Sequence, residues 1–343
     1  MYGRRRRAEA IGAEQEKDRS KEDMKVLRRW NQFIEQHMLF TAPCCLAAGI
    51  LLSRWLEPFA VLSPLFFVIM AFEGSLGTTF RSVGTVASHP ASLITVLIIL
   101  HGIMPFLAFF TGMFCFGKQP DIMTGILIET AIPAAIVSLT WSGIYKGNAA
   151  LSLSIVVIDT LISPFVIPLL IHLFLGSSVS IALGSMIRSL LLLIALPAFA
   201  AMLCNQMTHN RAREQWKPNL KPFSKLCMIA VITLNSTKLS PYVRTLSGER
   251  ILEALFMWGM VIAGFLISLA AAVLLRSSRE DTVSVLFGGG LRNISAGAVI
   301  AVAFFPGQAI FPVMMGTLFQ QMTAGILSTL FFSKILKETP EEK

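Results

Sequence analysis

Apolar residues run along this chain in long blocks, not in the short alternations of a half-buried sheet. From residue 38 onward ten blocks follow one another, at about 38–54, 58–77, 91–115, 121–143, 149–175, 181–205, 223–242, 252–275, 282–304 and 309–333. A helix that crosses a hydrocarbon core of about 30 Å needs about 20 apolar residues. In lipid every backbone N–H and C=O must be satisfied within the protein, so blocks of this length predict helices. Barrel strands would instead alternate over segments of about ten residues. The pattern predicts an all-α integral membrane protein with ten transmembrane helices.

Two blocks carry interruptions. GILIETAIPAAIVSLTWSG (125–143) is broken by Pro133, and VSVLFGGGLRNISAGAV (283–299) by Gly288, Gly289 and Gly290, with Arg292 beyond them. Proline removes a backbone donor and clashes with the preceding turn. Glycine costs helix stability at every position. The stretch LGSSVS (175–180) divides the ten blocks five and five. An odd number per half makes the second half enter the bilayer from the opposite side, which is the arithmetic of an inverted repeat. Both interruptions fall in the fourth block of their half. Matched breaks in inverted halves point to a substrate pathway, because freed carbonyls and half-helix N-termini are tolerated only where they are buried or line a wet cavity. Four regions result: a basic tail at 1–37, a first five-helix repeat at 38–175, a second at 181–334, and a polar tail at 335–343.

Composition sharpens this picture. Of 343 residues, 54% are hydrophobic and only 14% charged, against about 25% charged in soluble domains. The net charge of +9 reports topology and not nucleic-acid binding. Arg4 to Arg7, Lys17, Arg19, Lys21, Lys25, Arg28 and Arg29 precede the first block, and Arg211, Arg213, Lys217, Lys221 and Lys225 surround the link between the sixth and seventh. The positive-inside rule then puts both termini in the cytoplasm, and the protein is expected in the plasma (cytoplasmic) membrane. Within the tail, Leu27, Trp30 and Ile34 share one helical face beside Arg28 and Arg29; this fits either an interfacial helix on an anionic leaflet or a partly disordered tail. The five cysteines show no metal spacing and read as core thiols. His101 and His172 read as packing residues. There is no HExxH, no G-x-S-x-G and no nucleotide-binding loop, so the chain is expected to be neither an enzyme nor a primary pump.

The residues around the first break resemble a known family. IPAAIVSLTWSGIYKGNAALSLSIVVIDTLISPFVIPLL (132–170) is similar to the fourth and fifth helices of bile acid:sodium symporters. Pro133, Ser138, Lys146, Gly147, Asn148, Ala150, Leu151, Ser152 and Pro164 match. GGLRNISAGAVIAVAFF resembles the ninth helix of that family, through Gly290 and Asn293, and HGIMPFLAF its third. The resemblance implies ten helices in a panel and a core domain. It implies two broken helices, about 121–143 and 282–304, crossing in the core. It also implies movement of an organic anion, bile acid-like or a smaller carboxylate, by alternating access.

The departures are as informative as the matches. Where the family coordinates two sodium ions, Ser138 and Ser152 keep hydroxyls, but the other ligand positions carry Leu100, Leu139, Val156, Gly288 and Arg292. The expectation is therefore a secondary transporter with no metal site and no cofactor, with sodium doubtful and protons as the possible coupling ion. A sodium symporter with displaced ligands, or a channel or facilitator, is the alternative. An ionisable residue within a span is a functional candidate. Arg292 is expected at the crossover, paired with Glu129, Asp159 or a substrate anion. Asn293, Ser138, Gln320 and Gln321 are expected to contact substrate, and Glu129, Asp159 and Ser152 to serve coupling or charge pairing. The partners expected are a small organic anion and the lipid bilayer.

Overall fold

The structure is a computed structural model that describes residues 38–79, 90–176, 182–245, 247–305 and 307–337. The basic tail with its interfacial-helix expectation, residues 177–181 of the mid-chain link, and residues 338–343 lie outside the described residues. Twelve helices follow in order among those described: α1 Met38–Leu51, α2 Ser53–Ser75, α3 Pro90–Phe116, α4 Pro120–Ala131, α5 Val137–Ile144, α6 Ala149–Leu175, α7 Leu183–Met207, α8 Ala212–Arg244, α9 Gly248–Leu274, α10 Arg279–Gly290, α11 Ile294–Phe304 and α12 Ile310–Lys337. Seven of them (α2, α3, α6, α7, α8, α9 and most of α12) are long and apolar enough to cross a membrane.

Local sequence explains the boundaries. Asn148 caps α6 by accepting from the Leu151 amide, Ser278 caps α10 by accepting from the Asp281 amide, and Asn293 caps α11 by accepting from the Ala296 amide. Each supplies a side-chain oxygen to a first-turn N–H that has no partner within the helix. Proline shapes the long helices. Wider π-turns at Ile99–Ile103, Leu191–Ala195 and Ala212–Trp216 lie directly before Met104-Pro105, Leu196-Pro197 and Lys217-Pro218. A π-turn relieves the clash of the proline ring with the preceding turn without ending the helix. Helix α8 starts well before the predicted 223. Lys217, Lys221 and Lys225 recur every four residues, so one stripe is polar while the rest of the surface can pack.

The packing falls into two groups. α8 lies against α1 and α2, and α7 against α2. α9 lies against α10 and α12, α4 against α3, α6 and α12, and α11 against α12. Contacts of α6 with α7 and of α8 with α11 join the groups. The helix packing makes the interior, with residues such as Ile126, Ile128, Ile167, Val231, Ile300 and Val313 buried in one cluster.

The second interruption sits later than the glycines. Gly288, Gly289 and Gly290 are the last helical residues of α10, and Leu291–Asn293 are the unwound ones. The triplet serves close approach. A Cβ at Gly290 would overlap the Phe265 ring, one at Gly289 the Ser268 side chain, and one at Gly288 would press on Ile155. α10 can thus pass tightly between α9 and α6. Pro133, by contrast, lies within the unwound stretch between α4 and α5.

Candidate functional site

The two unwound stretches meet. Ala134 and Arg292 face each other as an antiparallel bridge. The Ala135 amide donates to the Leu291 carbonyl at 2.9 Å, and the Asn293 amide donates to the Pro133 carbonyl at 2.7 Å. The other amides also find partners. Ala134 N–H donates to Asp159 Oδ2 at 2.5 Å, Leu291 N–H to the Phe287 carbonyl at 3.1 Å, and Arg292 N–H to Gln320 Oε1 at 2.9 Å. Gln320 Nε2 returns a bond to the Arg292 carbonyl at 3.0 Å. Each break thus satisfies the other, as backbone without helical bonds must when no water is at hand.

Gln320 therefore acts on the backbone. Both ends of its amide bond the peptide groups of Arg292. Gln321 differs: its Oε1 accepts from Trp141 Nε1 at 3.1 Å and its Nε2 has no partner.

Asp159 and Glu129 sit in contrasting surroundings. Asp159 is fully buried. Its Oδ1 is 2.5 Å from His101 Nε2, and its Oδ2 takes the Ala134 amide. His101 lies in the π-turn of α3, so the pair ties α3 and α6 to the first break. Reading this histidine as a packing residue missed it. The available signal was another ionisable side chain within a span, next to Leu100. Glu129, on α4, is 2% exposed and neither carboxyl oxygen has a hydrogen-bond partner. Its carboxyl lies against Gly316 of α12, where a Cβ would overlap it, and within van der Waals reach of Gly297 of α11.

Arg292 is 6% exposed, and its two terminal guanidinium nitrogens have no hydrogen-bond partner. It makes a hydrogen-bonded ion pair with neither acid: Asp159 is engaged by His101, and the Glu129 carboxyl has no hydrogen-bond partner. Arg292 and Glu129 instead flank a small void, about 20 Å³ in volume, lined also by Met104, Met257 and Gln320. That is room for about one water molecule.

Arg292 also reaches a larger cavity of about 260 Å³, together with Asn293, Gln321, Lys217, Lys221 and Lys225. Glu73 is the acid on its wall, and Phe67, Met70, Leu139 and Met228 are among its apolar residues. Ala135 to Val137 and Asn293 to Ser295 bring the N-terminal ends of α5 and α11 to the same cavity. Helix N-termini carry a partial positive charge that favours anions. From sequence these lysines surround the link before the seventh block, with Lys225 alone inside it; their four-residue spacing is the signal that all three belong to one helix face.

Ser138 and Ser152 are not brought together with Arg292. Ser138 Oγ is buried without a partner at the start of α5. Ser152 Oγ donates to Ser142 Oγ at 2.8 Å, and Ser142 Oγ lies 3.2 Å from Ser284 Oγ. Leu100 is fully buried, Val156 is 5% exposed, and Gly288 offers no side chain. The side chains at the positions that resemble sodium ligands thus supply two separated hydroxyls and no carboxylate or amide, a poor fit to a hard cation that seeks several oxygens. Among the described residues no cluster of three or more His, Cys, Asp and Glu side chains could hold a metal.

A bundle of apolar helices in which two interrupted helices join beside a cavity is the build of a secondary transporter. Comparison with known proteins gives the family. Residues 64–246 match the Sodium Bile acid symporter family. The chain is 37% identical to YbaS of Bacillus subtilis over 289 residues, 84% of this chain and 94% of YbaS. It is 25% identical to YocS of the same organism, named a sodium-dependent transporter, over 74% of this chain and 78% of YocS. It is 22% identical to the chloroplastic BASS1 of Arabidopsis thaliana, named a probable sodium/metabolite cotransporter, over 83% of this chain and 71% of BASS1. The chain belongs to the sodium bile acid symporter family.

Proposed function

We propose that this protein moves an organic anion across the plasma membrane by alternating access, without the two sodium sites of its family. In this reading ten spans form a five-plus-five inverted repeat with both termini cytoplasmic. α1, α2, α7 and α8 form a panel, and the other helices form a core that holds the crossing breaks. The single observation that carries the reading is the cavity that runs to the crossover. Lys217, Lys221, Lys225 and Arg292 line it against Glu73. Asn293, Gln321 and the ends of α5 and α11 complete the anion-binding wall. Arg292 supplies at the crossover a fixed positive charge that a bound sodium would otherwise bring.

Protons are the coupling ion in this reading, and Glu129 is the group that carries them. Asp159 is committed to His101 and to the backbone of the first break, whereas Glu129 has no partner and shares a void with Arg292. Sodium coupling through displaced ligands is the second reading, and the names of YocS and BASS1 favour it.

Flux in proteoliposomes tests both. Saturable, counterflow-competent uptake of a carboxylate, persisting when choline replaces sodium and responding to an imposed pH gradient, is the expected result. A steep sodium requirement would select the second reading. Uptake that neither saturates nor shows counterflow would identify a channel. Arg292→Gln is expected to weaken anion binding at least tenfold, since a charge-assisted contact of about 1.5–3 kcal/mol is removed. Wild-type affinity in that variant would remove the role given to the arginine.

A further inference from the structure

Arg292 is the residue that two spaces share. It lines the void of about 20 Å³ together with Glu129, and it lines the cavity of about 260 Å³ at the crossover. Four polar atoms of this pair, both carboxyl oxygens of Glu129 and both terminal nitrogens of Arg292, are buried without a hydrogen-bond partner. The two side chains nevertheless lie within electrostatic reach of each other, and such an attraction is strong where water is scarce. The other neighbours of Glu129 are uncharged: Met104 of α3, Met257 and Met260 of α9, Gly297 of α11, and Gly316 and Gln320 of α12. Asp159 of α6 also acts on Arg292, but its own oxygens are engaged by His101 of α3 and the Ala134 amide. Among the described residues Arg292 is therefore the counter-charge of Glu129. An anion that enters the cavity and binds Arg292 withdraws it. A buried carboxylate without compensation is costly, and such a group takes a proton instead of staying ionised.

We infer that Glu129 and the transported anion take turns on the Arg292 guanidinium, so that each monovalent anion binds together with one proton. The proton comes from water and rests on a Glu129 carboxyl oxygen; no other bond forms or breaks. The pair then has the same charge empty and loaded. Empty, it is a guanidinium with a carboxylate; loaded, it is a guanidinium with a bound anion beside a neutral acid. Both forms change sides without taking a net charge of this pair through the apolar interior, where an uncompensated charge is expensive. This rests on the organic-anion and proton readings above and specifies how the two are coupled. By linkage, binding is tightest at low pH, where Glu129 already holds its proton. It weakens as pH rises through the titration of the empty site, by up to about tenfold per pH unit for one proton.

The experiment uses the full-length protein with acetate, hexanoate and cholate as probes. Their own carboxyls, with ordinary pKa values of about 4–5, stay ionised from about pH 6.5 to 9. On mixing in weakly buffered solution, a pH-sensitive dye should report close to one proton taken up per anion bound, and the dissociation constant should rise by up to about tenfold per pH unit. Uptake into proteoliposomes should change by less than about twofold under a potential of about 100 mV, which acts strongly on a moving charge. In Glu129→Gln, binding should take up no proton and lose its pH dependence. The loaded pair stays neutral in that variant, but the empty one keeps the bare guanidinium charge. Counterflow should therefore stay within about twofold of wild type, while net uptake falls by about tenfold and responds to the potential. A side chain that only packs would not separate counterflow from net uptake. Should Glu129→Gln fail to fold, the wild-type proton count and its pH slope decide. Anion binding without proton uptake, or a steep dependence of wild-type uptake on potential, would overturn the exchange while leaving organic-anion transport standing. Proton uptake that survives in Glu129→Gln and disappears in His101→Asn would assign the proton to the His101–Asp159 pair and overturn it too. Binding of none of the three probes would sink the carboxylate reading itself, and the exchange with it.

Discussion

Asp159 and Glu129 are both carboxylates in apolar helices, both almost wholly buried, beside the same crossover. Asp159 is built into the frame: one oxygen meets His101 and the other caps the Ala134 amide that Pro133 leaves outside any helix. Glu129 meets two glycines and a void. A buried acid with both oxygens engaged is part of the scaffold. A buried acid without a partner is expensive to keep, and Glu129 is kept beside Arg292 on the wall of one small void. The contrast separates an acid built into the frame from one left without a hydrogen-bond partner within a single site.

Removing Asp159 should have the largest effect. Asp159→Ala orphans the Ala134 amide and a buried histidine together. A loss of about 3–5 kcal/mol is expected, as for breaking a buried pair, seen as a sharply lowered melting temperature in detergent. Asp159→Asn keeps an acceptor for the Ala134 amide and should lose less. A melting temperature unchanged in Asp159→Ala would place the acid outside the frame.

Next come the glycines around Glu129. Gly316→Ala puts a methyl group where the Glu129 carboxyl lies and should cost about 1–3 kcal/mol through overpacking. Adding Glu129→Ala should return most of that loss, giving a coupling energy well above additivity. Strictly additive single and double variants would mean that the two side chains do not share the space.

Glu129→Gln sharpens the contrast from the other side. It preserves shape and removes charge, so stability should change by less than about 1 kcal/mol, while the pH dependence of uptake flattens. A wild-type pH profile in this variant would transfer proton coupling elsewhere. The smallest effect expected is that of exchanging sodium for choline in the wild-type protein, no more than about twofold in uptake, or roughly 0.4 kcal/mol.

Helical class, approximate segment positions and the existence of two interruptions were legible because they follow from local quantities. Apolar run length fixes what can sit in lipid, and a proline at 133 removes a helix donor and crowds the preceding turn. The cap residues Asn148, Ser278 and Asn293 likewise act within one turn of themselves. Even so, the second break was read onto its glycines, because local propensity cannot show that their small size serves the passage of Phe265 and Ser268. The early start of α8 was hidden by averaging, since three lysines on one stripe lower mean hydropathy without preventing a helix.

What the sequence alone determined is therefore the set of helices, the pair of flawed segments and the short inventory of ionisable residues placed among apolar ones. The tertiary structure decided what each of those residues does. It gave His101 to Asp159, committed Gln320 to the backbone of Arg292, left Glu129 without a partner and turned Lys217, Lys221 and Lys225 onto a cavity wall. The reason is physical: helix formation and membrane insertion depend on neighbours a few residues away. Satisfaction of a buried polar group depends on which atoms lie within about 3 Å, and here those atoms come from residues 25 to 180 positions distant in the chain.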